Sequence, residues 1–213
     1  MKLDELLATL PMTAPGPSPG LLVPDLERSD LVSLFGRRLR EVDGIDHGPL
    51  PASAAGDLVL SIFAEAGVED YLGWDDPGLA GIHQKLAAAR IRRIEAWVPK
   101  QPVPRLAHQQ TYATLSGGLT GADAGLAESG SIVLRSGPGR PRLASLLPSI
   151  HVAVLPVARL VRTLAHYAAE HPTAPAGISN LVVVTGPSRS GDIEQQLNLG
   201  VHGPRHLHVV LVN

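Results

Sequence analysis

The stretch Leu181–Val212, LVVVTGPSRSGDIEQQLNLGVHGPRHLHVVLV, decides the fold class. It opens on an apolar run, Leu181–Thr185, with the composition of a buried strand, and closes on another, Leu207–Val212. Between them the pattern predicts a loop, a helix over Ile193–Leu197 and a second loop. Strand, helix, strand within roughly thirty residues is the unit from which parallel α/β sheets are built.

The same alternation extends upstream. Arg142–Leu147 predicts a helical turn, His151–Leu155 a strand, and Val157–Glu170 a helix with Leu160, Val161, Leu164 and Tyr167 along one stripe. Ile132–Leu134 predicts another strand. Nearer the start, Ser29 or Asp30 is expected to cap a helix with Leu31, Leu34, Phe35 and Leu39 on its inner face, ending near Gly44. Helices are also expected over Ser53–Gly67, with Leu58, Ile62 and Phe63 inward, and over Leu79–Ala89. Short strands are expected at Tyr71–Trp74 and along Ile91, Ile94, Ala96 and Val98, closed by Pro99. Pro102 and Pro104 then force an extended connection. Together these predict an α/β domain over residues 29–213, with a largely parallel sheet flanked by helices. Residues 1–28 stand apart. Leu3, Leu6, Leu7 and Leu10 predict a short amphipathic helix, and Pro11–Pro24, with five prolines and two glycines, reads as an extended arm.

Composition narrows the function classes. Hydrophobic residues make up 44% of the 213 residues and charged residues 18%, a globular balance and not a disordered one. Aromatics are 3% and the formal charge is −2. Base-stacking platforms and a broad basic field are therefore both missing, and no nucleic-acid partner is expected. No apolar run approaches the length of a bilayer span, and the N-terminus lacks the basic-then-apolar order of a secretory signal, so a cytoplasmic location is expected. The chain has no cysteine. That removes disulfides, thiolate zinc sites, thiol catalysis and cysteine-ligated clusters, so any redox metal nearby is expected on a partner chain.

Three constellations could carry chemistry. In TGPSRSGDIE, Thr185–Glu194, the expected strand end and helix start would present free amides and a positive dipole end. Ser188, Arg189 and Ser190 add hydroxyls and a guanidinium fork, which suits a carboxylate or phosphate. The local alternative is that Gly186 and Pro187 make a turn, Ser190 or Asp192 caps the helix, and Arg189 pairs with a nearby carboxylate. A nucleotide P-loop is excluded, because Asp192 stands where that loop needs its lysine. In AESGS, Ala127–Ser131, Gly130 permits a tight turn and Ser129 and Ser131 offer hydroxyls. Glu128 is there either a catalytic base or nucleophile or an exposed carboxylate paired with arginine. In GVHGP, Gly200–Pro204, Gly203 and Pro204 fix a turn, and His202 can donate, accept or titrate. The geometric expectation is that Glu128, Ser129, Ser188, Arg189, Asp192 and His202 converge on one pocket at the sheet edge. Arg135, Arg140 and Arg142, grouped with Gly137, Pro138 and Gly139, form either a basic loop over an anionic substrate or a solvated turn. His206 and His208 share one strand face, and no metal site is assigned.

AESGSIVL, the LPSIHVAVLP strand, TGPSRSGDIEQQLNLGVHGP and the final apolar strand, taken in that order, resemble the lactate-utilization protein C family, the LUD-domain proteins. The likeness is dense from Gly121 onward. Ser129 and Ser131 stand where family members often show threonine, and Ser190-Gly191 where Thr-Ala is common. The resemblance implies a fold like that of NagB, RpiA and the CoA transferases. It also implies a part in oxidising L-lactate to pyruvate, through a three-component system whose other proteins are cysteine-rich and carry iron–sulfur clusters. This chain would be the component without a cluster, binding a small carboxylate or phosphate or organising the complex. Two other readings stay open: an independent enzyme with CoA-transferase-like or sugar-phosphate chemistry on Glu128, and a sensor that binds a small anion without turnover.

Overall fold

The computed structural model describes residue 24, residues 26–94, 106, 107, 110, 112, 115–173, 178–191, 197–199 and 203–213, with 189–191 and 197–199 as backbone. The expected Met1–Leu10 helix lies outside the described residues. So do the Pro11–Pro24 arm apart from Pro24, the Ala96–Pro99 end of the third strand, and Pro102 and Pro104.

Helix α1 spans Arg28–Glu41, α2 Ala55–Glu65, α3 Ala80–Ala88 and α4 Leu164–Glu170. Leu31, Phe35 and Leu39 recur every fourth residue on α1 and are 0–1% exposed. At roughly 2–3 kcal/mol per buried large side chain, this stripe fixes the helix to the core. Asp30 in its first turn and Arg38 and Arg40 in its last suit the helix dipole. Ser29 and Asp30 prove to lie inside the first turn, with Glu27 at the cap position. The helix ends at Glu41, and Asp43, with φ of 60°, supplies the left-handed turn that follows its Val42 cap. Helix α2 is shorter than expected, because Ala52–Ala54 form a 3-10 turn ahead of it, and it buries Val59, Ile62 and Phe63.

Six strands form a wholly parallel sheet: β1 (Ile45–Leu50), β2 (Asp70–Gly73), β3 (Arg92–Ile94), β4 (Gly117–Gly121), β7 (Ile150–Pro156) and β12 (His206–Val212). Their order is β1-β12-β7-β4-β2-β3. This bears out the expected α/β architecture. One face takes α2 and α3: a Cβ on Gly117 would meet Val68 and Phe63, and one on Gly73 would meet His83. The other takes α1 and a second sheet, since Phe35, Leu155 and Leu160 converge on Gly125.

The second sheet holds β5 (Ala124–Leu126), β6 (Ser131–Ser136), β8 (Leu160–Val161) and β9 (Asn180–Val184), in the order β8-β5-β6-β9. Strands β5 and β9 run antiparallel to β6, and β8 runs parallel to β5. Two expectations change here. The apolar run at Leu181 is a strand, but of this mixed sheet and not of the parallel one. The helix expected over Val157–Glu170 is broken: Leu160 and Val161 pair with Gly125 and Leu126, and only Leu164–Glu170 is α-helical. Backbone bonds to β5 outweigh the helical spacing. Thr163 restarts the helix by accepting a hydrogen bond from the His166 amide.

A third change falls in the signature stretch. Strands β10 (Arg189–Gly191) and β11 (Leu197–Leu199) pair antiparallel, so Leu197 belongs to a strand and not to the end of a helix. Residues 192–196 lie outside the described residues.

Candidate functional site at the open edge of the sheet

The two serine-bearing motifs meet. Antiparallel pairing sets Ile132 opposite Val184, which brings the start of β6 to the end of β9. There the Ser131 hydroxyl lies 2.8 Å from Ser129 Oγ and 2.7 Å from Thr185 Oγ1, a chain of three hydroxyls joining AESGS to TGPS. Gly130 (φ 63°) and Gly186 (φ 75°) need their left-handed backbone at this junction. A Cβ on the first would run into the Arg38 carbonyl, and one on the second into the Val42 carbonyl. Both motifs therefore seat on the end of α1. Ser188 donates its amide to the Pro204 carbonyl at 2.8 Å, and a Cβ on Gly203 would stand 3.2 Å from the Ser188 Cβ. Ser129, Gly186, Ser188 and Gly203 thus stand around this junction. Glu128 beside them is exposed and pairs with Arg162 at 2.7 Å, the second of the two roles open to it. Arg189 and Ser190 stand in β10, and Asp192 and His202 lie outside the described residues.

The position of this junction differs from the expectation. Val42 and Pro204 immediately precede β1 and β12, so the motifs sit at the amino end of the parallel sheet. A ligand edge built from strand carboxyl ends and helix starts lies at the other end.

That carboxyl edge has its own site. The chain winds outward from β2 to β3, then returns to lay β4, β7 and β12 on the other side of β2. The carboxyl ends of β2 and β4 therefore flank a topological switch point, where crevices of open α/β sheets take ligands. Next to it, at the carboxyl ends of β2 and β3, opens a cleft of about 570 Å³, with Gly73 and Ile94 at the strand ends, Asp75 and Arg93 on one side and Gly137 and Gly139 opposite. A smaller cleft of about 190 Å³, sharing Gly137, is lined by Arg135, Ser136 and Arg140.

Charges around both clefts are ordered by the strand ends. Asp123, just past β4 and 7% exposed in its side chain, accepts from Arg135 at 2.8 Å and from Arg140 at 3.4 Å. Arg140 also reaches Asp76 at 3.0 Å and lies 5.5 Å over the Trp74 ring. The Asp123 hydrogen bond holds the Arg135 pKa above its usual value. Arg93 donates from Nη2 to the Gly73 carbonyl at 2.8 Å and to Asp75 at 2.6 Å. The loop carrying these groups is pinned by the Asp75 amide on the Gly139 carbonyl (2.7 Å) and by Trp74 Nε1 on the Pro141 carbonyl (3.0 Å). Beneath it, His83 Nε2 donates to the Trp74 carbonyl at 3.0 Å, which leaves Nδ1 to accept from the Tyr71 hydroxyl at 2.7 Å. Burial lowers the His83 pKa and pushes the Tyr71 phenol up to about 12. This pair stays neutral near pH 7 and holds the end of β2. Arg135 and Arg140 are therefore neither a free basic loop nor a solvated turn; Asp76 and Asp123 hold them beside a cleft. Arg142 is exposed.

His47 and His208, on the neighbouring strands β1 and β12, pack on each other. His208 stacks on His47, with Nδ1 and Nε2 2.9 Å apart, and burial with the neighbouring imidazoles holds His208 down to about 4. Among the described residues no group of three or more His, Asp or Glu side chains could hold a metal, and no helix is long and apolar enough to cross a membrane.

The profile of the LUD domain matches residues 51–212. The chain belongs to the LUD domain family. Among its relatives is lactate utilization protein C of Halalkalibacterium halodurans, 35% identical over 153 residues, covering 68% of this chain and 63% of that protein. Lactate utilization protein C of an Exiguobacterium species is 35% identical over 147 residues, with 61% of each chain covered. This LUD chain thus spans somewhat over three fifths of the length of these two relatives. A DUF162 family crystal structure from Deinococcus radiodurans matches with a TM-score of 0.65 and 22% identity, over 88% of this chain and 99% of that one. That likeness shows a common fold.

The sequence motifs pointed to the serine-bearing loops and not to Asp75, Asp76, Arg93 and Asp123. A signal was present: Trp74-Asp75-Asp76-Pro77 directly follows a short apolar strand, and Asp76 accepts from the Gly78 amide to open the next turn. Asp123 follows GGLTG, which does not read as a strand at all.

Proposed function

We propose that this chain is the component without a metal cluster in a system that oxidises L-lactate to pyruvate, and that it binds a small carboxylate. The observation that carries the reading is its likeness to proteins named lactate utilization protein C. The absence of cysteine supports the division of labour: these 213 residues offer no thiolate to a cluster, so electrons leaving lactate would pass to cysteine-rich, iron–sulfur partners. Carboxylate binding is supported by the guanidinium groups at the open edge of the sheet, whose planar forks match a carboxylate in shape and charge. The loop at Ser188, Arg189 and Ser190 is the second place where such an anion would be held.

The experiment is deletion of the gene in a strain with no second copy, followed by growth on L-lactate and affinity capture of the tagged chain from lactate-grown cells. Loss of growth and recovery of an assembly that oxidises lactate are expected. Undiminished growth on lactate would refute the role. In the complemented strain, Arg189→Ala and Arg93→Gln tell the two anion positions apart.

A further inference from the structure

We propose that the cleft at the carboxyl ends of β2 and β3 is a carboxylate site in which Asp75 occupies, from within the chain, the place on Arg93 that a ligand's carboxyl group takes. This deepens the carboxylate-binding half of the reading above and rests on it.

The ion pairs at this edge differ in how readily they open. Three aspartates sit at this edge. Asp123 and Asp76 are 7% and 12% exposed in their side chains, and each is tied to an arginine, so pulling either away would strand a buried charge. Asp75 is different. Its side chain is 66% exposed and its ion pair with Arg93 lies in solvent, the kind of pair that contributes little. Its backbone is nevertheless fixed, because its amide is bonded to Gly139. The carboxylate can therefore swing into water while the loop stays in place.

Arg93 is the group it would leave behind. Among the described residues its hydrogen bonds are made by Nη2 alone, and an anion that displaces Asp75 would take the place on Nη2 that Asp75 holds, with Nη1 beside it. The Gly73 carbonyl keeps the guanidinium at the cleft when Asp75 departs. Gly73 also lets the guanidinium lie against the strand end, since a Cβ there would stand 3.2 Å from Arg93 Nε and 2.9 Å from both His83 Cε1 and Tyr71 Cε2. On the opposite wall, nothing lies within 4 Å of where a Gly137 Cβ would be. A cleft of about 570 Å³ falls within the common size of small-molecule sites. An uncharged ligand would give Arg93 nothing to exchange for Asp75, whereas a carboxylate replaces like with like. Phosphate shares that chemistry, and the test separates the two.

The test is calorimetric titration of the full chain with L-lactate, with pyruvate and, as a separate arm, with inorganic phosphate. It compares wild type, Asp75→Asn and Arg93→Gln. The carboxylates are expected to bind wild type. Arg93→Gln should weaken them at least about tenfold, the scale of a lost charge-assisted hydrogen bond. Asp75→Asn should tighten them about threefold, because the internal competitor is gone. Arg93→Gln also loses the Gly73 bond and could misfold, so the sign for the exposed Asp75 decides. Weaker or unchanged binding in Asp75→Asn overturns the proposal, as does heat from phosphate alone or from none of the three. Tighter binding in Asp75→Asn together with normal growth of the deletion strain on lactate would keep the site and remove the lactate role. The reverse pair of results would do the opposite.

Discussion

Acid should destabilise this protein through its buried histidines, of which His151 is shifted furthest. His151 lies near the start of β7, fully buried, with Nε2 2.8 Å from the Thr120 hydroxyl and Nδ1 without a partner among the described residues. The tautomer that leaves least unsatisfied carries its proton on Nε2 and donates it to Thr120. Protonating Nδ1 would add an unpaired N–H and a full charge to an apolar core. Burial first, and the nearby His208 second, hold the His151 pKa at about 3 against an ordinary 6.5. Because the folded value is the lower one, the unfolded chain takes up the proton first as pH falls. Stability is therefore unaffected above about pH 6.5 and is lost progressively from there toward about pH 3. At about pH 5, roughly 1.5 units into that window and about 1.36 kcal/mol per unit, the loss is about 2 kcal/mol. The assay is urea unfolding at about pH 7.5 and about pH 5, for wild type and His151→Gln. Glutamine keeps an amide that can donate to Thr120 but does not titrate. Wild type should lose about 2 kcal/mol more than the variant between the two pH values. His47, His83 and His208, also shifted down by burial, contribute to both proteins and cancel. Equal losses in the two proteins, at unchanged denaturant slopes, would refute the reasoning.

Three further outcomes are expected. Gly130→Ala should cost more than about 2 kcal/mol in urea unfolding, because the residue is at φ 63° and its new methyl would meet the α1 backbone; a loss below about 0.5 kcal/mol would mean α1 moves aside freely. Asp123→Ala should cost about 3 kcal/mol, since it removes the ion pair and the backbone-amide acceptor of Arg135 while Arg140 keeps only Asp76, and should lower the thermal midpoint far more than Asp75→Ala does. Ser131→Ala should cost about 1 kcal/mol by breaking the hydroxyl chain at its centre, whereas Ser131→Thr should keep the link.

The helices and the two strongest parallel strands were legible because their signals are local. Leu31, Phe35 and Leu39 mark a helix wherever it sits, and the Val- and Leu-rich runs at His151 and Leu207 mark buried strands. Strand β4 was not legible. GGLTG has little strand propensity, and its glycines are there because Phe63 and Val68 press on one face and the Ala144 carbonyl and Pro148 on the other. The break at Leu160 was hidden for a related reason: its helical spacing was real, and pairing with β5 overrode it. The motif loops were recognised as a unit, but their edge was misplaced, since nothing within TGPSRSG tells whether its strand joins a parallel or an antiparallel neighbour.

By itself the sequence determined which segments are apolar at which period, where turns must fall, and that no thiolate is available to a metal within these residues. Those properties belong to single residues and near neighbours, and they survive without knowledge of the partner. The tertiary structure alone decided the order of the strands, and with it the switch point between β2 and β4. It also brought Asp75, Asp76, Asp123, Arg93, Arg135 and Arg140 to one edge from positions up to about sixty residues apart. Burial sets which of those ion pairs is locked and which can open, and burial is a property of the assembled layers.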